Sequence, residues 1–219
     1  PMRFRKLFPS ALCAVFILLT ACSPAEDRNL LQINGVKQLY VSGSYLFTDL
    51  DGTLYQVTET DGLPVCMLEN VVSFGSFGNF NWAITADGAL YTWGENNYGE
   101  LGNGTLEDSA TPQKILENVA AAGTHYDYVS WALTNTGDLY TWGDGCAGQL
   151  GYILQGKGLF DRMPQPTPKK ILENVVFYEN RLAVTNDGGL YHWGFDITSP
   201  MAEQENGDPY LFTPKRMAD

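Results

Sequence analysis

TADGALYTWG (residues 85–94) decides how this chain is read. A short apolar run ends at Thr85, Asp87 and Gly88 supply a turn, and Leu90 to Gly94 leave it in strict alternation. An Asx-Gly step between apolar runs is the strongest short-range hairpin signal, because Gly accepts the positive φ that such turns demand. The two-residue period of a strand places Leu90 and Thr92 on one face and Tyr91 and Trp93 on the other. A hairpin with apolar residues on both faces cannot bury itself alone.

The stretch comes back. TNTGDLYTWG occupies 134–143 and TNDGGLYHWG occupies 185–194, while FTDLDGTLY at 47–55 is a degenerate copy. The Leu-Tyr pairs at 54–55, 90–91, 139–140 and 190–191 are spaced by 36, 49 and 51 residues. LENV recurs at 68–71, 116–119 and 172–175, and TPQKI, TPKKI and TPKRM recur at 111–115, 167–171 and 213–217. Three signatures in a fixed order at a period near 50 mean a repeat architecture, whose units stack to bury a shared core. LENV is expected to open a strand that runs into small residues. The apolar strands WAIT, WALT and LAVT (82–85, 131–134, 182–185) precede the turn in each unit. No amphipathic helical period of useful length follows residue 31.

LYTWGENNYGELGNGT (90–105) and LYTWGDGCAGQLG (139–151) carry a resemblance. Together with the Thr-Pro and Ala-Leu-Thr segments, they are similar to the regulator of chromosome condensation repeat. The resemblance covers roughly residues 32–219. It implies an all-β fold, a β-propeller of four-stranded blades about a central axis. About four repeats are present, at 32–66, 67–114, 115–170 and 171–212, with the start of a further one at 213–219. The family commonly builds seven blades, so the chain is expected to be a partial ring or a fragment of a longer one. Two departures stand out. Phe80, Val129 and Asn180 hold the positions where the family often has His, and the fourth repeat lacks the Gly-Gln-Leu-Gly tail after Trp193-Gly194.

The N-terminus reads as a targeting segment. Arg3, Arg5 and Lys6 precede the uncharged run LCAVFILL at 12–19, which is too short to span a bilayer and suited to a signal-peptide core. Leu19-Thr20-Ala21-Cys22 resembles a bacterial lipobox. Residues 1–21 are therefore expected to be a lipoprotein signal, Cys22 the lipidated residue and 22–31 a tether, placing the chain outside the cytoplasm of a bacterium on a lipid anchor. Without the signal, 10 Lys and Arg face 25 Asp and Glu, a net charge of −15. That field repels nucleic acid and anionic headgroups, so the only membrane contact expected is through lipid. Cys66 and Cys146 remain, and two buried free thiols are the preferred reading, although a disulfide is permitted outside the cytoplasm.

FTDLDGTLY also resembles the nucleophile motif of dehalogenase-type phosphatases, with Asp49 as nucleophile and Asp51 as acid/base. That chemistry requires strand–helix alternation, a downstream Lys and a metal-holding acidic pair; no helical segment to alternate follows residue 55, and the nearest mimic of the metal motif, Asp144-Gly145, lies inside a repeat's Trp-Gly loop. Aligned with the other repeats, Asp51 is expected to be a turn residue bonding nearby backbone and Asp49 a strand end. His125 and His192 are lone structural histidines in this reading. Trp93, Trp142 and Trp193 recur at one repeat position and are assigned to the core, whereas Trp82 and Trp131 stay unassigned. No catalytic, cofactor or metal site is expected.

The resulting expectation is a non-enzymatic binding module whose partner is a protein or glycan at the cell surface. YILQGKGLFDRMPQPT (152–167), with Tyr152, Leu159, Phe160 and Arg162, is the candidate contact loop. Guanine-nucleotide exchange, the activity of the founding family member, is the alternative. A phosphatase or carbohydrate-active enzyme is the third reading.

Overall fold

The computed structural model describes residues 35–42, 44–57, 62–125, 128–145, 148–152, 163–195 and 210–217. Among these residues sixteen strands form four antiparallel sheets of four strands each, every sheet a simple meander in chain order. Blade one comprises β1 (Val36–Ser42), β2 (Ser44–Asp49), β3 (Leu54–Val57) and β4 (Pro64–Leu68). Blade two comprises β5 (Val71–Phe77), β6 (Phe80–Thr85), β7 (Leu90–Gly94) and β8 (Ser109–Leu116). Blade three comprises β9 (Val119–Thr124), β10 (Val129–Thr134), β11 (Leu139–Asp144) and β12 (Pro164–Leu172). Blade four comprises β13 (Val175–Glu179), β14 (Leu182–Thr185), β15 (Leu190–Phe195) and β16 (Tyr210–Arg216).

The core lies between blades, as alternation requires. Leu46 and Leu54 of blade one meet Val71, Ala83 and Trp93 of blade two. Ile84 and Leu90 of blade two meet Val119, Ala122, Ala132 and Trp142 of blade three. Leu139 of blade three meets Val175, Tyr178, Ala183 and Trp193 of blade four. Leu90 thus points to the following blade and Trp93 to the preceding one. At about 25 cal/mol per Å² of apolar surface, three such interfaces dominate the stability.

Each blade boundary falls inside LENV. Leu ends the outer strand of one sheet, Val starts the first strand of the next, and Asn turns the chain between them with φ of 58°, 59° and 59° at Asn70, Asn118 and Asn174. Asn is among the few side chains that tolerate this left-handed region. Two hairpin turns clamp each boundary. The amides of Val71, Val119 and Val175 donate to the Gly52, Gly88 and Gly137 carbonyls of the preceding blade at 2.8–2.9 Å. The amides of Ala86, Asn135 and Asn186 donate to the carbonyls of Asn70, Asn118 and Asn174 at 2.8 Å. The turn itself is built on a Thr85–Gly88 bond of 2.8 Å, with only Gly88 at positive φ (81°). It has the four-residue type I form and not a two-residue primed turn.

Three expectations are corrected here. LENV does not open a strand but splits between two sheets. TPKRM does not begin a further repeat: residues 213–216 lie in β16, where Lys215 pairs with His192 and Arg216 with Tyr191, completing blade four. TPQKI and TPKKI occupy the same outer strand in β8 and β12. Cys66 on β4 is not a free thiol but is disulfide-bonded, to a partner outside the described residues.

Candidate binding face

The two ends of the blades differ. One carries the clamped boundaries just described. The other carries the turns at 78–79 and 180–181, the ends of β9 and β10 at His125 and Tyr128, and the segments that follow Trp-Gly. Gly94 and Gly143, at φ 113° and 103°, hold these together, because the next amide, of Glu95 or Asp144, donates to the Asn79 or Tyr128 carbonyl at 3.2 Å.

The segment 95–108 is organised around one side chain. Asn96 is fully buried; its Oδ1 accepts from the Leu101 amide at 2.9 Å, and its Nδ2 donates to the Thr105 and Glu107 carbonyls at 2.9 and 3.0 Å. Its own amide donates to Asp108 Oδ1 at 2.9 Å. The Gly-x-Leu-Gly that follows is a strap laid over the next blade. Trp142 Nε1 and Ser130 Oγ both donate to the Glu100 carbonyl, at 2.8 and 2.9 Å, and Thr92 Oγ1 donates to the Leu101 carbonyl at 2.7 Å. A Cβ on Gly102 would stand 2.7 Å from Trp142 Nε1, and one on Gly99 would stand 2.8 Å from Pro166 Cα, so both positions require glycine. Blade three repeats the device, with Trp193 Nε1 donating to the Gln149 carbonyl at 3.1 Å and Thr141 Oγ1 to the Leu150 carbonyl at 2.5 Å.

Glu100 is the buried acid of this strap, 3% exposed, where the matching residue of blade three is Gln149. Burial pushes its carboxyl above the usual range, with Glu95 and Asp108 adding repulsion, against the Tyr98 amide that donates to it at 2.7 Å. Since the folded pKa is the raised one, ionisation costs stability at pH above it, and the cost fades as pH falls to the ordinary Glu value. Glu100→Gln keeps the acceptor and removes the charge. The expected result is a rise in Tm of about 2–4 °C at neutral pH that shrinks to nothing near pH 4; an equal gain at both pH values would refute the assignment.

The candidate contact loop is partly corrected. Tyr152 is not an exposed aromatic: it is 8% exposed and packs with Val129, Leu150 and Ile171, Lys169 Nζ sits 4.0 Å from its ring centroid, and burial pushes its phenol up. Leu159, Phe160 and Arg162 lie outside the described residues, as do Cys22 and Cys146.

The exposed aromatic surface lies elsewhere on the same end. Tyr128, 36% exposed, has φ 62°, a left-handed conformation unusual for a bulky side chain. Its ring stands 4.6 Å from that of Tyr98 on the blade-two segment and 6.2 Å from that of Phe77 at the end of β5. Exposed Glu95, held by Asn79 Nδ2 at 2.7 Å, flanks the group. No sequence pattern pointed to these three residues, which are 21 and 30 positions apart and meet only when blades two and three pack. A separate groove of about 320 Å³ between β1 and β5 is lined by Gln38, Leu39, Tyr40, Ser73 and Phe74, with no carboxylate, His or Lys.

The remaining candidates are structural. Asp49, 4% exposed, is committed to its own turn: Oδ1 accepts from the Asp51 and Thr53 amides at 3.0 and 2.9 Å, and Oδ2 from Tyr55 Oη at 3.4 Å. Asp49 therefore does the backbone bonding expected of Asp51. His125 Nε2 lies 2.9 Å from Tyr178 Oη at the edge of the blade three–four core, and His192 is buried on β15. Trp82 and Trp131 are half-buried and pack against the core. Each covers a cross-strand glycine, Gly75 or Gly123, where a Cβ would meet the indole at 2.9–3.0 Å.

Residues 87–125 match the family model "Regulator of chromosome condensation (RCC1) repeat". The chain is 34% identical over 132 residues to the E3 ubiquitin-protein ligase HERC2 of Homo sapiens and equally to that of Mus musculus; the match covers 58% of this chain and 3% of those relatives. Among solved structures it is similar to Prp20p of Saccharomyces cerevisiae (TM-score 0.61, 21% identity), covering 87% of this chain and 53% of that one. Human WBSCR16 superposes with TM-score 0.63 at 16% identity, over 87% of this chain and 55% of that one. At these identities the solved structures establish the fold. The chain has an all-β fold, four antiparallel four-stranded blades of an RCC1-like β-propeller, within which residues 87–125 match the RCC1 repeat.

Proposed function

We propose that this chain is a non-enzymatic binding module, tethered by lipid at Cys22 outside a bacterial cytoplasm, that takes a protein or glycan partner on the end bearing Tyr128. The observation that carries the reading is the Tyr128–Tyr98–Phe77 surface. A left-handed Tyr costs about 1–2 kcal/mol that Asn or Gly would save, and contact with Tyr98 returns about 0.5–1.5 kcal/mol. Backbone strain of this kind concentrates where a side chain is held for recognition. A partly exposed aromatic pair, its rings tilted by 42°, with Glu95 on the same end, suits an apolar or cationic partner group or a sugar ring.

The test uses the full chain as bait for cell-surface proteins and on a glycan array. Tyr98→Ser/Tyr128→Asn is expected to lose the bound species by tenfold or more, while stability stays within about 1 kcal/mol because strain relief and lost contact offset. Undiminished binding by that variant removes the assignment. Cys22→Ala is expected to abolish incorporation of labelled fatty acid.

Likeness to Prp20p, a protein described with its binding to Gsp1p and histones, favours guanine-nucleotide exchange as a second reading. Accelerated nucleotide release from any member of a small-GTPase panel would replace the first reading with this one. The net charge of −12 disfavours a nucleic-acid partner.

A further inference from the structure

The three junctions between blades are filled in two different ways. In blades two and three the second strand carries Trp82 or Trp131, and each indole lies over a glycine of the first strand, Gly75 or Gly123. Trp82 packs with the core between blades two and three, and Trp131 with the core between blades three and four. Blade one departs from this pattern. The cross-strand pair at the same position is Tyr40 and Leu46. Leu46 is fully buried and packs with Val71, Ala83 and Trp93, so this face of the sheet is the one turned to blade two. Alternation puts Gln38 on the same face as Tyr40. The shorter leucine leaves open the space that an indole fills at the other two junctions. That space is the groove of about 320 Å³ between β1 and β5, lined by Gln38, Leu39, Tyr40, Ser73 and Phe74.

None of the five lining residues is charged, in a chain of net charge −12. Among the described residues the Gln38 amide and the Tyr40 hydroxyl have no hydrogen-bond partner within the protein. Both groups donate and accept. The rings of Tyr40 and Phe74 supply apolar faces beside them. A charged ligand would give up its hydration here without meeting a counter-charge. A wholly apolar one would cover the amide and the hydroxyl and leave them unbonded. A ring with hydroxyls along its edge and C–H groups on its face satisfies both halves of the lining. We propose that this groove binds one neutral sugar ring, its hydroxyls bonded to Gln38 and Tyr40 and its C–H face against the aromatic rings. A volume of about 320 Å³ lies at the low end of ligand pockets, roughly 300–1,000 Å³, which suits a single ring. The site is separate from the Tyr128 surface and does not rest on it, because Phe77 lies on the opposite face of β5 from Phe74.

Ligand-observed NMR on the full chain tests this with methyl glucoside, methyl galactoside and N-acetylglucosamine as neutral probes. At least one is expected to saturate with a Kd on the order of 1 mM, as suits a ligand of this size. Glucuronic acid, a ring of the same shape bearing a carboxylate, is expected to bind about tenfold more weakly or worse. Gln38→Leu keeps the bulk and removes the amide, and is expected to weaken binding about tenfold. Tyr40→Gly/Leu46→Trp writes the blade-two pair into blade one, fills the groove and is expected to abolish binding. Gln38 is exposed, so Gln38→Leu keeps its circular-dichroism spectrum and carries the test alone should the double variant fail to fold. The absence of saturable binding by every neutral probe at tens of millimolar overturns the proposal. So does binding that Gln38→Leu keeps in full, or glucuronic acid binding as tightly as the neutral rings. Loss of binding in Tyr98→Ser/Tyr128→Asn alone also overturns it, by moving the sugar to that end.

Discussion

Trp142→Ala is expected to cost about 3–5 kcal/mol, a fall in Tm of roughly 10 °C or more for a chain of this size. Trp142 is 1% exposed and fills the space between blades two and three against Ile84, Leu90, Val119 and Ala132. Truncation removes the transferred apolar area and leaves a cavity that the flanking sheets cannot close, because each is fixed by its own ladder. It also removes one of two donors to the Glu100 carbonyl, leaving Ser130 alone on it. Because, among the described residues, the core clusters join successive blades, the loss weakens coupling between blades one–two and three–four. Thermal unfolding of the variant is therefore expected to broaden or split, whereas Trp142→Phe keeps a single transition at a cost of about 1–2 kcal/mol. A drop below about 1 kcal/mol would show that the strap, not the indole, holds this interface.

The parts legible in the sequence were those written in local patterns. Asp87-Gly88 announced a hairpin, and the alternation of Leu90 and Trp93 announced two buried faces; the structure buries Leu90 against one neighbour and Trp93 against the other. The outcome of LENV was harder to see, since a strand end and a strand start on different sheets read as one apolar run, and only the positive φ of Asn118 separates them. The TPKRM segment looked like a beginning because signature order on a repeat is circular. Asp49 and Asp51 show the limit within a turn: both are good turn formers, and only geometry shows that Asp49 accepts the two amides. Tyr152 looked like a surface aromatic because it opens the long Gly- and Pro-containing segment 152–167 between two blade strands, but Lys169 and Ile171 arrive from β12 to cover it. The Tyr128 surface had no sequence signal at all. It arises from contact between Tyr98 and Tyr128 on different blades, and from a backbone conformation that composition does not report.

Gly94→Ala is expected to cost about 3 kcal/mol or more, although a single methyl is added at a half-buried site. Gly94 ends β7 at φ 113°, outside the regions an L side chain adopts without strain, which alone costs about 1–3 kcal/mol. A Cβ there would overlap the Asn79 carbonyl oxygen, a backbone atom of the β5–β6 hairpin that cannot rotate away. That same carbonyl accepts the Glu95 amide, so moving it aside also breaks the bond that launches the 95–108 segment from the hairpin. The strap over Trp142 begins only a few residues later, and its register depends on that launch. Gly143→Ala is the matched control, because its Cβ would overlap the Tyr128 carbonyl in the same way and should cost a similar amount. Gly78→Ala is the contrasting one: its φ is also positive, at 56°, but a Cβ there meets nothing within 4 Å. Its cost is expected to stay near the 1 kcal/mol of the left-handed backbone alone, about a third of that at Gly94. Equal losses at Gly78 and Gly94 in urea unfolding would show that backbone conformation, and not the approach of the Asn79 carbonyl, is why glycine follows tryptophan in these blades.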